Sequence, residues 1–338
     1  MKKIIIFGAT GSIGTSVLKV IKNNKDFKLV GFGYYANQTK AKKIQQQFHV
    51  KKMLQGDNPT KIDEFIKMTK PDLILNAVAG SFGIIFSYLA IVNKKTLILA
   101  NKETLVCCGK QITSLAKKYK VKIYPVDSEH SAIYSLLQQK PKNKKIKEII
   151  ITASGGSFYD FSYKQLANVK YEQAISNPNW VMGEKVSVDS STLINKAFEI
   201  VEAHWLFPNY KTTALLQRSS KVHGIIKFID NSVDAYIAKA DMCLSIKNAL
   251  YEYKIDDHAH IFHYKSINDI EYELKPICYK HLKGYSYAKL MLENINSSLP
   301  AIINHADEKA IQLFKENKIK FLDIYKYIDS CVIKMNKK

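Results

Sequence analysis

Residues 1–14 read MKKIIIFGATGSIG, a short apolar run followed by three evenly spaced glycines. The run Ile4–Phe7 predicts a buried β-strand, and a turn with Gly8, Gly11 and Gly14 follows it directly. A glycine-rich turn that opens a helix lets backbone amides approach a pyrophosphate at the helix N-terminus. The start of the chain therefore predicts a nucleotide-binding unit and not a signal peptide, whose apolar run would be longer.

Apolar strand-like runs alternate with amphipathic segments through the first half of the chain. The predicted strands are Ile4–Phe7, Leu29–Phe32, Leu73–Val78, Thr96–Ala100 and Ile123–Val126, and the predicted helices include Ser16–Lys25 and Thr39–Phe48. Because these strands are apolar on both faces, the pattern predicts an α/β fold with a Rossmann-type, doubly wound parallel sheet. We assign residues 1–147 to this N-terminal domain.

The segment after the second predicted strand bears on the choice of cofactor. NAD enzymes tend to carry an acidic residue there, but Gly31–Asn37 contains no acid. Lys40, Lys42 and Lys43 follow, which favours a cofactor with a 2′-phosphate and therefore NADPH over NADH. Since lysines are common throughout the chain, a chance placement is the alternative.

Two polar segments follow the fourth and fifth predicted strands, at the sheet edge where ligands bind in open α/β folds. The first contains Asn101, Lys102 and Glu103, and the second contains Asp127 and Glu129. In extended backbone Asp127 and Glu129 share a face, and two carboxylates on one face are costly without a cation between them. Oxygen ligands suit Mg²⁺ or Mn²⁺. The alternative is that Ser128 or Asp127 caps the next helix.

The second half of the chain has a different pattern, and we assign residues 148–264 to an α+β catalytic domain and 265–338 to a C-terminal helical domain. Ser154–Ser157 reads SGGS and offers backbone amides to an anion. The segment around Trp180 is predicted to be a loop that folds over a ligand. Val222–Ile237 predicts a β-hairpin with an Asp-Asn turn.

Residues 187–207, SVDSSTLINKAFEIVEAHWLF, predict one helix with two different faces. Asp189, Ser190 and Ser191 are candidates for its first-turn cap. Apolar residues recur at helical spacing and are expected to face a core: Leu193, Ile194, Ala197, Phe198, Val201 and Trp205. Polar residues form another stripe: Thr192, Asn195, Lys196, Glu199 and Glu202. This stripe suits a phosphate at one end and a metal at the other, and an ordinary solvated helix face is the alternative.

The composition describes a basic globular protein of 338 residues with a net charge of +21. Arg218 is the only arginine and the lysines are spread over the chain, which argues against a nucleic-acid-binding surface. No apolar run reaches the roughly 18 residues that a membrane span needs. Five cysteines without C-x-x-C spacing indicate reduced thiols and a cytoplasmic location. His258, His260 and His263 lack regular ligand spacing and are interpreted as polar surface residues.

Six segments occur in the order found in one enzyme family: GATGSIG, LANKETLV, PVDSEHSAI, ITASGGSF, NPNWVMGEKVSVDSSTLINKAFEIVEAHWLF and LPAIINHADEKAIQLF. Together they resemble the 1-deoxy-D-xylulose 5-phosphate reductoisomerase family over nearly the whole chain. The resemblance implies NADPH- and divalent-metal-dependent conversion of 1-deoxy-D-xylulose 5-phosphate to 2-C-methyl-D-erythritol 4-phosphate, in isoprenoid biosynthesis by the non-mevalonate pathway. It also implies a homodimer whose subunit has nucleotide-binding, catalytic and helical domains, the last of them shortened here.

The resemblance further implies roles for individual residues. Metal ligands are expected at Asp127, Glu129 and Glu199. Substrate contacts are expected at Lys102, Ser128, Glu129, Ser154, Asn177, Trp180, Ser190, Asn195, Lys196 and Glu199. Cofactor contacts are expected at Thr10, Gly11, Ser12, Ile13, Asn37, Asn101, Glu103 and Gly183. Lys102 and Glu129 are the candidates for proton transfer.

The chain departs from the family pattern at positions that bear on binding. Asn177 and Gln217 stand where the family usually has histidines, which predicts weaker phosphate binding, and Ala36 predicts a weaker preference for NADPH. Arg218 is predicted to offset part of the loss by pairing with the phosphate, a solvent-exposed surface arginine being the alternative. Two other functions stay open: another NAD(P)-dependent dehydrogenase of the semialdehyde or homoserine type, and a cofactor-binding relative without turnover.

Overall fold

The computed structural model describes residues 1–22, 24–176, 182–253, 273–278 and 281–336. The chain divides into two compact units. The first unit contains Met1–Thr104, Cys108–Ser131 and a segment that begins at Asp241, and the second contains Leu105–Cys107, Ala132–Ala240 and the described residues beyond 272. Asn177, Trp180 and the three histidines between 258 and 263 lie outside the described residues, so the expectations placed on them stay predictions. The three domain bounds assigned from the sequence also stay a prediction.

Six parallel strands form one sheet in the first unit. In chain order they are β1 Lys2–Phe7, β2 Phe27–Tyr34, β3 Met53–Gln55, β4 Leu73–Asn76, β5 Thr96–Leu99 and β6 Ile123–Pro125. Their spatial order is β3-β2-β1-β4-β5-β6, so the order reverses between β1 and β4, where a doubly wound sheet binds its ligand. The predicted parallel sheet is confirmed. β3 was not predicted because it has three residues and none of them is buried.

Six helices follow these strands in turn: α1 Ser12–Lys22, α2 Gln38–Phe48, α3 Pro59–Thr69, α4 Gly83–Val92, α5 Glu103–Tyr119 and α6 Ser128–Gln139. α1 begins at Ser12 and not at the predicted Ser16, because residues of the glycine turn are themselves helical. Val17, Leu18 and Ile21 form the buried face of α1, as its amphipathic pattern predicts.

A five-stranded mixed sheet forms the centre of the second unit. Its strands are β7 Ile146–Ala153, β8 Thr212–Leu216, β9 Val222–Phe228, β10 Val233–Ile237 and β11 Lys275–Pro276, in the spatial order β10-β9-β7-β8-β11. β9 and β10 are antiparallel neighbours, which confirms the predicted hairpin. Asn231 lies at its turn with φ of 64°, a left-handed conformation that asparagine tolerates better than most residues.

The described ranges contain eight further α-helices: α7 Tyr163–Leu166, α8 Tyr171–Ala174, α9 Glu184–Ser191, α10 Ile194–Leu206, α11 Met242–Leu250, α12 Tyr287–Glu293, α13 Leu299–Lys315 and α14 Asp323–Asn336. A 3-10 helix, Lys283–Ser286, precedes α12. The prediction of one helix through residues 187–207 is wrong, because Leu193 has φ of 61° and separates α9 from α10. Asp189, Ser190 and Ser191 therefore form the last turn of α9 and cap no helix start. No described helix is long and apolar enough to cross a membrane.

The apolar face of α10 lies in the core of the second unit. Ile194, Ala197, Phe198 and Val201 are fully buried there, while Trp205 is only partly buried. The predicted C-terminal helices pack into the same core through residues of α13 and α14 such as Ile303 and Ile324. This packing fixes the orientation of α10 and so of its polar residues.

Candidate active site

In the turn between β1 and α1 there is no room for a side chain at Gly8 or at Gly14. Gly8 has φ of 79°, and a Cβ atom there would lie 2.4 Å from the carbonyl oxygen of Ala77, the residue after β4. A Cβ atom on Gly14 would lie 2.3 Å from the carbonyl oxygen of Gly8. The turn therefore packs tightly where the strand order reverses. It carries four of the predicted cofactor residues: Thr10, Gly11, Ser12 and Ile13.

Lys40 connects α2 to this turn. Its ammonium donates hydrogen bonds to the Thr10 carbonyl at 2.8 Å and to the Thr15 hydroxyl at 2.7 Å. Asn37 caps α2, since its side-chain oxygen accepts a hydrogen bond from the backbone N–H of Lys40 at 2.9 Å. Lys42 and Lys43 are exposed on α2. Of the three lysines noted in the sequence, Lys40 is thus the one held beside the glycine turn.

Asn101 orders the backbone that leaves β4. It is 1% exposed, and its amide donates to the carbonyls of Val78 at 2.8 Å and Gly80 at 2.9 Å and to the Glu103 carboxylate at 2.8 Å. Its side-chain oxygen accepts from the Thr104 hydroxyl at 2.6 Å. The predicted cofactor residues Asn101 and Glu103 therefore share one buried hydrogen-bond network beside the carboxyl ends of β4 and β5.

The carboxylates after β6 are held by charged and hydroxyl partners. Asp127 pairs with the Lys102 ammonium at 2.8 Å, and the Lys102 side chain is 9% exposed. Glu129 accepts a hydrogen bond from the Ser128 hydroxyl at 2.5 Å. The expectation of extended backbone here is wrong, because Glu129 lies in the first turn of α6, where a carboxylate is favoured by the helix dipole. Asp127 immediately precedes α6, and its carbonyl accepts from the backbone N–H of Ser131 at 2.8 Å.

The polar face of α10 is buried, which excludes an ordinary solvated helix face. Lys196 is 4% exposed, and Glu199 and Glu202 are each 1% exposed. The Lys196 ammonium pairs with Glu199 and donates to the Thr152 carbonyl on β7. Asn195 also donates to the Glu199 carboxylate. Because buried charges are costly unless paired, such a concentration of charge within two turns of one helix indicates a functional site.

The turn after β7 lies directly against the end of α9. Gly155 and Gly156 have φ of 86° and 70°, and a Cβ atom on Gly156 would lie 2.4 Å from the Ser190 carbonyl oxygen. The Gly156 N–H donates to the Ser154 hydroxyl at 3.3 Å. Since Lys196 binds the carbonyl of Thr152, two residues before Ser154, the described substrate residues predicted in the second unit converge at the carboxyl end of β7.

Gln217 and Gly183 have structural contacts of their own. Gln217 is 1% exposed, and its amide donates to the Ser219 hydroxyl at 2.7 Å and accepts from the backbone N–H of Lys221 at 2.9 Å. It therefore orders the turn between β8 and β9. Gly183 is the cap residue of α9, and its carbonyl accepts from the backbone N–H of Ser187 at 3.0 Å.

Two buried acids, one on α9 and one on α13, form a pair that was not predicted from the sequence. Lys185 contacts Asp189 at 2.7 Å and Asp307, on α13, at 3.2 Å, and both acids are at most 1% exposed. Burial, and then the negative charge of Asp189, raise the pKa of the Asp307 carboxyl well above its ordinary value. The only sequence signal was an acid on the apolar side of an amphipathic helix, which is weak on its own.

Because burial raises the pKa of the Asp307 carboxyl, we expect Asp307→Asn to stabilise the protein at neutral pH. The folded protein binds a proton at Asp307 more tightly than the unfolded chain does. The stability that Asp307 contributes is therefore greatest below the unfolded pKa of about 3.9, and it is lost as the pH rises through the folded pKa. Asparagine donates a hydrogen bond without needing a proton and leaves the Lys185–Asp189 pair intact. We expect the free energy of unfolding at pH 7.5 to rise by on the order of 1 kcal/mol, measured by urea denaturation.

Asp323→Asn is the matched control with the opposite sign. Hydrogen bonds from the side chain of Lys326 and the backbone of Lys320 lower the pKa of the Asp323 carboxyl, so its contribution is present above the unfolded pKa and lost in acid. Its removal should slightly lower stability at pH 7.5. A destabilised Asp307→Asn at that pH would contradict the assignment of a costly buried charge.

Comparisons with known proteins identify the relatives of this chain. A family profile described as 1-deoxy-D-xylulose 5-phosphate reductoisomerase matches residues 4–61 and 52–109. Two profiles for C-terminal domains of the same enzyme match residues 123–207 and 237–338. The 1-deoxy-D-xylulose 5-phosphate reductoisomerase of Malacoplasma penetrans is 41% identical over 98% of this chain and 88% of its own length. That of Halalkalibacterium halodurans is 37% identical over 98% of this chain and 92% of its own.

Solved structures of the same enzyme share the fold. A reductoisomerase crystallised with NADPH, fosmidomycin and magnesium is 28% identical, with a TM-score of 0.88 over 98% of this chain and 89% of its own. The Zymomonas mobilis enzyme, crystallised with NADPH, is 27% identical, with a TM-score of 0.83 over 97% of this chain and 90% of its own. These matches favour the expected family over the two other functions left open by the sequence. The chain therefore belongs to the 1-deoxy-D-xylulose 5-phosphate reductoisomerase family.

Proposed function

We propose that this protein converts 1-deoxy-D-xylulose 5-phosphate to 2-C-methyl-D-erythritol 4-phosphate with NADPH and a divalent metal ion. Family membership indicates the reaction. The structural observation that supports the same reaction for this chain is the buried polar face of α10. Lys196, Glu199 and Glu202 lie there in one helical stretch, where a merely structural helix would bury apolar residues.

The metal ligands are Asp127, Glu129 and Glu199. All three are carboxylates, the donor type that Mg²⁺ and Mn²⁺ prefer, so the donor set fits the ion. Asp127 lies beside the Lys102 ammonium and Glu199 beside the Lys196 ammonium, so each of these two carboxylates has a cationic partner. When bound, the ion acts as a Lewis acid and template for the ketone and the adjacent hydroxyl of the substrate.

The substrate phosphate binds at the carboxyl end of β7. Ser154, Ser190, Asn195 and Lys196 supply a buried ammonium, hydroxyls and an amide within one set of touching elements. A buried ammonium gives a strong charge-assisted hydrogen bond to phosphate. We retain Asn177 and Trp180 as further substrate contacts, as the family resemblance implies.

Proton transfer is assigned to Lys102 and Glu129. Lys102 holds its ammonium against Asp127 at 2.8 Å, which keeps a proton donor fixed beside the proposed metal ligands. Ser128 holds the Glu129 carboxylate in place through its hydroxyl at 2.5 Å. A fixed donor and a fixed acceptor are what general acid–base catalysis of the rearrangement requires.

NADPH would bind at the glycine turn beside β1 and β4, where the strand order of the sheet reverses. Thr10, Gly11, Ser12 and Ile13 lie at or just before the N-terminus of α1 and would hold the pyrophosphate of the cofactor. Asn37, Asn101, Glu103 and Gly183 are the remaining proposed contacts. NADPH supplies the hydride that reduces the rearranged aldehyde to the alcohol, and this chemistry belongs to the cofactor.

Lys40→Ala is expected to weaken the preference for NADPH over NADH. The Lys40 ammonium lies beside Thr10. The substitution would remove a positive charge that pairs with the 2′-phosphate of NADPH. A charge-assisted hydrogen bond of roughly 1.5 kcal/mol corresponds to about a ten-fold rise in KM for NADPH, with less change for NADH. Lys43→Ala, which removes an exposed lysine of the same helix, is the control and should change either KM by less than about two-fold. Equal losses with both cofactors would mean that Lys40 only braces the turn.

The proposed reaction is tested by NADPH oxidation with the purified protein, 1-deoxy-D-xylulose 5-phosphate and Mg²⁺ or Mn²⁺. We expect turnover that stops when EDTA removes the metal and returns when the metal is added back. Aspartate semialdehyde with NADPH and homoserine with NADP⁺ are offered in parallel, since a dehydrogenase of that type would use one of these pairs without a divalent ion. Bound NADPH without turnover of any substrate would support a relative that has lost catalysis.

Family resemblance also supports a homodimer in the cytoplasm, and we propose both. Sedimentation equilibrium of the purified protein tests the dimer, which should have twice the 38.5 kDa mass of the chain. A monomer at micromolar concentration that still turns over substrate would contradict it.

A further inference from the structure

Arg218 holds the serine–glycine turn that follows β7. Its Nη1 donates to the Ser154 carbonyl at 2.5 Å and to the Gly156 carbonyl at 3.3 Å. Its Nη2 pairs with the Asp160 carboxylate at 2.9 Å, and the guanidinium lies over the Tyr159 ring, 5.5 Å from the centroid. The planar fork of the guanidinium is therefore directed at the turn and at the segment that follows it.

Two glycines form the centre of the turn. Gly155 and Gly156 are adjacent, both have positive φ, and glycine loses more conformational freedom on ordering than any other residue. Arg218 binds the carbonyl on each side of Gly155, which fixes the orientation of the peptide planes that follow Ser154 and Gly156. A Cβ atom on Gly155 would lie 2.9 Å from Nη1, so the guanidinium sits in direct contact with the turn.

We propose that Arg218 is a positioning residue for the substrate phosphate, which orders the Ser154–Gly156 turn before substrate arrives. This inference rests on the proposed function, because Ser154 is assigned there as a phosphate contact. It differs from the expectation drawn from the sequence, in which Arg218 itself pairs with the phosphate. The guanidinium acts through the turn, because its donors are directed at two carbonyls and a carboxylate of the protein.

The carbonyl contacts should matter more than the ion pair. The Asp160 side chain is 74% exposed, and exposed ion pairs contribute little to stability. The hydrogen bonds to Ser154 and Gly156 restrict the backbone of a proposed substrate contact, and a pre-ordered site binds more tightly because it loses less entropy on binding. Asp160→Asn is therefore the matched control for Arg218→Ala.

The test compares steady-state kinetics of the wild type, Arg218→Ala, Arg218→Lys and Asp160→Asn. For Arg218→Ala we expect KM for the sugar phosphate to rise about ten-fold, with kcat within about two-fold and KM for NADPH unchanged. Arg218→Lys should recover only part of the loss, because an ammonium cannot span both carbonyls. Asp160→Asn should change KM by less than about two-fold. An unchanged KM in Arg218→Ala would overturn the inference, while a wild type without turnover would overturn the proposed function instead.

Amide hydrogen exchange without substrate separates positioning from direct contact. If Arg218 orders the turn, the amides of Gly155–Ser157 should exchange at least several-fold faster in Arg218→Ala than in the wild type. Exchange elsewhere in the described chain and the thermal midpoint should stay as in the wild type. Unchanged exchange at the turn together with a raised KM would assign Arg218 to the phosphate itself and overturn the positioning role.

Discussion

Replacing Glu199 by glutamine is expected to lower kcat by at least about a thousand-fold. A divalent ion supplies several kcal/mol of charge stabilisation in the transition state, and each 1.4 kcal/mol is a factor of ten. The substitution keeps the shape of the side chain and its place on α10, so the fold and NADPH binding should persist. Mn²⁺ binding, measured by calorimetric titration of the unliganded protein, should weaken in parallel. Asp127→Asn and Glu129→Gln are expected to behave in the same way.

Asp307→Asn is the control for the metal assignment. Asp307 is a fully buried carboxylate like Glu199, but it lies on α13, contacts Lys185 and is outside the proposed ligand set. The control should therefore bind Mn²⁺ with an affinity close to that of the wild type, whatever it does to thermal stability. Wild-type Mn²⁺ affinity in Glu199→Gln, or equal losses in both variants, would contradict the assignment of Glu199 as a ligand.

Gly156→Ala is expected to raise KM for the sugar phosphate by at least about a hundred-fold. Its φ of 70° is unfavourable for alanine by roughly 1–2 kcal/mol, and the new Cβ would lie 2.4 Å from the Ser190 carbonyl oxygen. The turn and the end of α9 must separate to admit it, at a cost of about 1–3 kcal/mol, and Ser154 and Ser190 then move apart. The strain should lower the free energy of unfolding, and the displacement should raise KM for the sugar phosphate.

Gly56→Ala distinguishes strain from displacement. Gly56 also has positive φ, 88°, but an added Cβ would meet nothing within 4 Å. The control should lose about 1 kcal/mol of stability from backbone strain alone and keep the wild-type KM for the sugar phosphate. If Gly156→Ala showed the same profile as Gly56→Ala, contact between the turn and α9 would have no part in substrate binding.

The sheet and the glycine turn were predictable because their signals are local. Unbroken apolar runs such as Ile4–Phe7 and Leu73–Val78 specify buried parallel strands, and the three glycines specify the turn between β1 and α1. The hairpin of β9 and β10 carries its own turn residues in the same way. Each of these elements is decided within about ten neighbouring residues.

The break between α9 and α10 was not predictable from periodicity. The apolar spacing of Leu193, Ile194, Ala197 and Phe198 satisfies a helix, and one residue with φ of 61° interrupts it without changing that spacing. Of the predicted polar stripe, Thr192 lies at the end of α9, and the remaining residues lie on α10. The burial of Lys196, Glu199 and Glu202 depends on packing against distant elements. Only the structure shows that Lys196 reaches the Thr152 carbonyl, 44 residues earlier in the chain.

Long-range partners account for the rest of what the sequence missed. Arg218 and Ser154 are 64 residues apart, and the pairing of Lys185 with Asp307 joins α9 to α13. No local pattern specifies such contacts, because each residue alone is compatible with an exposed surface. Arg218 stood out only as the sole arginine of the chain, which identified the residue and not its partners.

The central claim is that one site first rearranges the carbon skeleton and then reduces the aldehyde. Product analysis with NADPH deuterated at the transferred position, Mg²⁺ and 1-deoxy-D-xylulose 5-phosphate tests it most directly. We predict one NADPH consumed per substrate and a branched product, 2-C-methyl-D-erythritol 4-phosphate, with a single deuterium on the carbon of the newly formed alcohol. An unbranched product reduced at the original ketone, or NADPH consumed without deuterium in a branched product, would contradict the account.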